Sequence, residues 1–211
     1  MPPEPGPAIA LILASASPRR RELLECWGYG FEVAAGGVVE THDPGASPAE
    51  LTVLNALRKA RAVAGQFPEA LVLGADTLVY LGTEPLGKPA DLEEAAGMLR
   101  RLSGKTHEVC TGVALVRRSA GLETVFHDMT RVTFRRLSDQ DICYYLERVD
   151  PLDKAGGYAL QEHGVRIVAQ IEGSWSNVVG LPMESVVRQL ERHGFYPDPA
   201  RGAATPSSSS G

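Results

Sequence analysis

Short apolar runs alternate along the chain with longer stretches whose apolar positions recur every three or four residues, the pattern of strands interleaved with helices. AIALILA at 8–14 is apolar throughout, as a strand buried on both faces of a parallel sheet is. The next segment predicts a helix with Ser17 as N-cap and Pro18 at the first helical position, ending near Trp27 before Gly28 and Gly30. FEVAAGG at 31–37 reads as a second strand, and 47–65 as a helix opened by a Ser47–Glu50 capping box with Pro48 behind the cap. LVLGA at 71–75 predicts a central strand that 77–81 continues or restarts, with a Gly/Pro turn after it. Asp91 and Glu94 form a second capping pair for a helix ending near Leu102, with Gly104 just beyond. Strands follow at 107–118 and 124–137, then a helix capped by Ser138, a polar glycine-rich loop at 150–164, and a strand at 165–173. A last helix runs from Pro182 to Gly194.

This alternation implies an α/β layer architecture. With 211 residues and neither an internal repeat nor a dividing linker, the chain predicts a flexible arm at 1–7, one domain over 8–196 and a disordered tail at 197–211. Charge narrows the partners: Lys+Arg 21 against Asp+Glu 26 leaves a net −5, which disfavours a general nucleic-acid or anionic-membrane partner and makes any basic site local. Cys26, Cys110 and Cys143 have no CxxC spacing, and such an odd, scattered set fits reduced thiols in a cytoplasm better than disulfides or zinc. His42, His107, His127, His163 and His193 lack ligand spacing. No stretch has the apolar length of a membrane span, and MPPEPGPA lacks the basic start of a secretion signal.

Four stretches carry candidate chemistry. Arg19, Arg20 and Arg21 crowd the start of the first helix, where the macrodipole already places positive charge. Helical spacing puts Arg19 and Arg20 at the mouth of the buried face and Arg21 in line with Glu25 on a solvent stripe. A bound phosphate, held by amides, guanidinium groups and the Ser15 and Ser17 hydroxyls, would resolve the crowding; a basic surface turn is the plainer alternative. Asp76 interrupts the apolar run LVLGADTLVY, where it either faces a ligand cleft, holding a cation or orienting water, or caps a turn through Gly74 and Thr77. GTEPLGKPA nearly spells a P-loop, but Pro89 stands where a Ser or Thr must bind magnesium; Lys88 is then a phosphate-neutralising lysine or a solvated one. DPLDKAGGYALQ at 150–161 gathers Asp153, Lys154 and Gln161, whose amide offers the donor and acceptor that reading a nucleobase edge requires, or else it is a polar surface loop.

Taken together, LASASPRRRELL, GADTLV with GKP, MLRRLSGKTHEVCTGVAL, DKAGGYALQ and NVVGLP resemble the Maf family of nucleoside triphosphate pyrophosphatases, in family order over nearly the whole chain between the tails. The resemblance implies a mixed α/β fold, a twisted mixed sheet flanked by helices in two lobes around a central cleft, of the Maf/ITPase-like kind. It implies a metal-dependent hydrolase (Mg²⁺ or Mn²⁺) that cleaves nucleoside triphosphates to the monophosphate and pyrophosphate. By matched position, Asp76 is the catalytic aspartate, Ser15, Ser17, Arg19 and Arg20 lie in the phosphate loop, and Glu40, Lys59, Lys88, Asp153 and Lys154 surround the site, with Glu40 and Asp76 as metal ligands. Arg19, Thr77 and Gln161 match the positions that separate subfamilies, and together they resemble the branch that prefers dTTP and UTP. Arg58, where many members carry Glu, and the ALQE run with Glu162 depart from the pattern. The resemblance leaves a homodimer open, and it leaves one rival from another class, a nucleotide-binding regulator of cell division and septum formation with little turnover.

Overall fold

The computed structural model describes residues 9–41, 43 and 45–200. The arm expected at 1–7, the tail residues from 201 onward and His42 lie outside the described residues. Within the expected tail, the Asp198 N–H donates to the Gly28 carbonyl at 2.8 Å.

The apolar run near the start forms β1 (Leu11–Leu13), and its neighbours are parallel, as a doubly buried strand requires: β2 (Glu32–Val33) on one side and β3 (Leu71–Leu81) on the other. The remaining pairs are antiparallel. They are β4 (Glu84–Leu86) with β3, β3 with β5 (Thr106–Arg117), β5 with β6 (Leu122–Phe134), and β6 with β7 (Val168–Glu172). The result is a seven-stranded mixed sheet in the order β2-β1-β3-β5-β6-β7, with β4 on the β3 edge. Pro85, which has no N–H to give a ladder, sits in β4 at that edge.

Helices cover the sheet: α1 (Pro18–Cys26), α2 (Pro48–Ala64), α3 (Leu92–Leu102), α4 (Asp139–Leu146), the short α5 (Gly164–Ile167) and α6 (Trp175–Val179), and α7 (Met183–Arg192). The expected capping box of Ser47 with Glu50 opens α2, and α4, expected only to be capped by Ser138, opens with a full box of Ser138 and Asp141. At α3 the box is half made, because Asp91 accepts from the Glu94 N–H while Glu94 reaches past it to the Ala90 N–H. Ser17 occupies the N-cap position of α1 without capping it by its hydroxyl.

Several expectations are corrected. The strand expected over 31–37 is two residues long, because after Ala34 bonds to Leu13 the chain leaves the sheet and Gly37 turns it at φ +58°. The strand expected from 165 begins at Val168, since His163 adopts φ +55° and starts one helical turn. The turn at Gly74–Thr77 does not exist: β3 runs unbroken through Asp76. The strand β4 inside the Gly/Pro turn and the helix α6, capped by Ser174, went unforeseen.

Three of the four apolar clusters among the described residues divide between the two ends of the long strands. One end packs Leu11, Leu13, Leu73 and Leu115 against α1 and α7, with Ala56, Ala60, Val72 and Ala114 joining α2 to the opposite face. The other packs Val79, Val109, Val132 and Phe134 against α3 and α4. Between them, β3 pairs with β1 only up to Leu73 and with β4 only from Val79, so its edge lies open over 74–78. The two-lobed, mixed-sheet α/β expectation holds, and that gap is the floor of the cleft.

The helix α2 lies unusually close to this floor. A Cβ at Gly112 would stand 2.3 Å from the Thr52 carbonyl carbon and the Val53 nitrogen, and one at Gly74 would stand 2.4 Å from the Ala56 oxygen. Both obstacles are backbone, which side-chain repacking cannot relieve. Gly112→Ala should therefore destabilise the protein by about 2 kcal/mol or more. Gly97→Ala on α3, where a Cβ meets nothing within 4 Å, should instead stabilise by up to about 1 kcal/mol; chemical denaturation of the two variants compares them directly.

In the second lobe His107 is buried, its Nε2 2.7 Å from the Tyr158 hydroxyl and its ring edge-on to Phe134 and Tyr158. Burial lowers its pKa from 6.5 to about 4. The unfolded chain thus takes up this proton first on acidification, so the stability from the neutral ring is complete above about pH 6.5. That stability, on the order of 3 kcal/mol, is lost as pH falls towards 4. Melting curves of His107→Gln from pH 7 to 4 should show a shallower decline than those of the wild type.

Candidate active site

Asp76 lies midway along the longest stretch of β3 pairing, opposite Gly112 of β5, with its side chain 5% exposed. Burying a carboxylate costs several kcal/mol unless it is paired and hydrogen-bonded, and α2 supplies both. Lys59 Nζ stands 2.6 Å from Asp76 Oδ1, and Asn55 Nδ2 donates to Oδ2 at 3.1 Å. Asn55 and Lys59 are four residues apart, hence on one face of α2. Thr52, Ala56 and Ala60, the row that meets Gly74 and Gly112, lies beside them.

The same lysine reaches Glu40 Oε1, also at 2.6 Å. Asn55 holds the backbone beside Glu40 as well, accepting from the Thr41 N–H at 2.9 Å and donating to the Thr41 carbonyl at 3.2 Å. Its amide is thus fully used, with one oxygen accepting and two N–H groups donating. Arg58 hydrogen-bonds the Thr41 hydroxyl from the same helix. Burial pushes the Asp76 carboxyl up from its ordinary range, against the charge and hydrogen bond of Lys59; the Glu40 charge adds to the rise and Arg20 opposes it. Burial also pulls Glu40 upward, but the Lys59 hydrogen bond and charge, with Asp76 and Lys88 behind them, hold it below the usual range.

The arginines at the start of α1 are accommodated without a single acidic residue in that helix's first turn. Arg20 spends three of its N–H groups on acceptors, donating to the Gly180 carbonyl at 2.8 Å, the Thr77 hydroxyl at 3.0 Å and the Ser15 hydroxyl at 3.1 Å. A guanidinium has five, so two remain. Arg19 crosses the mouth of the cleft to Asp153, at 2.7 Å to its carboxylate and 3.2 Å to its carbonyl. Arg21 makes only a loose 3.8 Å pair with Glu25 on the exposed stripe, as the helical spacing indicated. The first-turn amides of α1 have no carbonyl within their own helix to bond. Ser17 N–H donates to the Ser15 hydroxyl at 3.2 Å, closing the loop ahead of them.

Thr77 links the two halves: its hydroxyl lies 3.0 Å from that of Thr111, which donates to the Asn177 carbonyl at 3.1 Å. Lys154 is buried among the Asp150 carbonyl and the Asp153 and Glu162 carboxylates. Lys88 and Gln161 are exposed. All twelve residues singled out from the sequence (Ser15, Ser17, Arg19, Arg20, Glu40, Lys59, Asp76, Thr77, Lys88, Asp153, Lys154 and Gln161) line one cavity of about 660 Å³. The basic and acidic groups therefore face a common space. Asn55 is the residue the sequence reading missed. Its signal was the i, i+4 spacing from Lys59 in a helix whose neighbouring row is alanine, a polar side chain on a face that must be buried.

By donor chemistry, Glu40 and Asp76 are the residues that would hold a divalent cation. The Lys59 ammonium occupies the position between them, 2.6 Å from Glu40 Oε1 and from Asp76 Oδ1, so a cation would take the remaining lone pairs of the two carboxylates. Two carboxylates suit magnesium or manganese, whose remaining positions go to water and phosphate oxygens. Among the described residues no group of three or more His, Cys, Asp or Glu side chains forms a denser metal site, and Cys26, Cys110 and Cys143 are free thiols.

The chain is similar to known proteins over most of its length. A dTTP/UTP pyrophosphatase of Akkermansia muciniphila is 49% identical over 185 residues, spanning 88% of this chain and 97% of that protein. Proteins of the same name from Symbiobacterium thermophilum and Myxococcus xanthus are each 51% identical over 185 residues, covering 88% of this chain and 94% and 93% of theirs. The solved structure of the Staphylococcus aureus Ham1 protein aligns over 87% of this chain and 99% of its own, with TM-score 0.48 and 15% identity. The family described as Maf-like protein matches residues 10–193, which takes in every strand and helix and all the residues around Asp76; the chain belongs to the Maf-like protein family.

Proposed function

We propose that this protein hydrolyses dTTP and UTP to the nucleoside monophosphate and pyrophosphate. The observation that carries the reading is the shared cavity, in which a buried carboxylate faces a helix start lined with guanidinium groups. Close relatives over nearly their whole length bear the name dTTP/UTP pyrophosphatase, and the residues at 19, 77 and 161 fit that branch.

The arrangement supports an in-line displacement. The α1 amides, the Ser15 and Ser17 hydroxyls, Arg19 and the free N–H groups of Arg20 bind the triphosphate, with Lys88 across the cleft adding positive charge. The Asp76 carboxyl, raised above its ordinary range by burial, accepts the proton of the attacking water. That water bonds to the α-phosphorus, the bond from it to the bridging oxygen breaks, and pyrophosphate leaves. Lys59 and Asn55 hold Asp76 in place. Glu40 and Asp76 would hold a magnesium or manganese ion, which when bound neutralises phosphate charge. Lys154, enclosed by three oxygens of its own loop, shapes that loop and keeps Asp153 opposite Arg19. Gln161 reads the pyrimidine edge at the far wall. No helix among the described residues is long and apolar enough to cross a membrane, and the free thiols fit a cytoplasmic setting.

Purified protein with dTTP or UTP and magnesium should release pyrophosphate; orthophosphate release, or none, would refute the assignment and favour a binding-only regulator. Asp76→Asn should lower kcat by about 10²-fold or more while a fluorescent nucleotide still binds. Asn55→Leu strands the Thr41 backbone and one Asp76 oxygen together, so it should lower both thermal stability, by about 2 kcal/mol, and kcat. An unchanged kcat at that destabilisation would remove Asn55 from the placement of Asp76.

A further inference from the structure

Reading a base edge demands more than a glutamine. Thymine and uracil present an N–H donor beside a carbonyl acceptor, and cytosine presents the reverse order at the same two atoms. A carboxamide that can turn over serves both orders, so discrimination needs its terminal group held in one orientation, and the backbone that carries it sets which neighbours that group can reach. Yet Gln161 is exposed, and it ends a loop whose regular structure is one three-residue turn containing Gly156 and Gly157 at φ +73° and +72°.

What holds that loop is a pair of buried hydroxyls. Tyr145, on α4 and 1% exposed, accepts the Ala159 N–H at 2.9 Å and donates its own hydrogen to the Ala159 carbonyl at 3.1 Å. One hydroxyl thereby fixes the peptide planes on both sides of a single Cα, two residues before Gln161. The preceding side chain, Tyr158, is fixed through its hydroxyl to His107 and is packed edge-on against Phe134. Tyr158 also lines the cavity that holds Asp76, and Tyr145 does not; both anchors stand in the apolar cluster of the second lobe. The Tyr145 ring would pack there without its oxygen, so packing alone does not require the phenol.

We infer that the hydroxyls of Tyr145 and Tyr158 position Gln161 and so set the preference for thymine and uracil over cytosine. Tyr145 is a positioning residue, acting through the 159–161 backbone without touching the nucleotide. The inference rests on the proposed pyrophosphatase reading and on Gln161 as its base reader.

The test is the ratio of kcat/KM for dTTP to that for dCTP, measured by pyrophosphate release. Tyr145→Phe should lower the ratio about tenfold and leave saturated dTTP turnover within about threefold, since the phosphate site is untouched. In a Gln161→Ala background the same substitution should change the ratio no further. Ile142→Ala, which loosens the same helix but keeps the phenol, should lower the melting temperature and spare the ratio. Tyr158→Phe should move the ratio as Tyr145→Phe does, and it decides the question if Tyr145→Phe does not fold. A ratio within twofold of wild type in the tyrosine variants, an equal further loss without Gln161, or an equal loss in Ile142→Ala would each overturn the positioning role. A wild type that releases no pyrophosphate would overturn the parent reading as well, whereas an active, selective wild type beside an equally selective Tyr145→Phe overturns this inference alone.

Discussion

The structure depends on how closely one helix lies on one sheet. A carboxylate cannot remain in the middle of an apolar strand without partners, and the partners of Asp76 both come from α2. They reach it because Gly74 and Gly112 present no side chains, so that the helix backbone settles directly on the strand backbones. Add a methyl group at either glycine and the helix must lift; Asn55 and Lys59 lift with it, and the carboxylate loses its compensation. Stability and chemistry are thus tied to the same contact. The capping box at Ser47 sets where that helix begins, and through the helical period it sets which residues face the carboxylate.

The second constraint is electrostatic. Positive charge at the start of α1 would be unfavourable on the macrodipole alone, and the fold answers it from a distance, with Asp153 from the far loop and carbonyl and hydroxyl oxygens from around Thr77 and Gly180. These oxygens neutralise only part of the donor capacity. Arg19 and Arg20 both line the cavity, so the same cluster that looks costly in a helix becomes useful beside a polyanion.

Much of this could be read from the chain. Apolar runs, caps and glycine stops located the major elements within a few residues, and the misplaced arginines and the inset aspartate marked the cleft. The unread parts share a physical cause, since each depends on contacts distant in sequence. Nothing local in Glu84–Leu86 distinguishes a turn from an edge strand; pairing with Val79–Leu81 decides it. The 31–37 segment has strand composition but leaves the sheet where Gly37 takes a left-handed conformation. Asn55 looked like an ordinary polar helix residue until the aspartate of β3 lay beneath it. Ser17 had the right type and place for a cap, yet its hydroxyl is not used as one.

Because β3, β5 and β6 pass without interruption from one lobe into the other, the lobes share a single hydrogen-bonded plank and have no joint between them. A bilobed shape usually suggests jaws that swing; here the base cannot hinge without breaking ladder bonds along three strands. Adjustment to a nucleotide falls to the rim, where the Arg19–Asp153 clasp spans the opening, and an arriving triphosphate competes with that clasp for the same guanidinium.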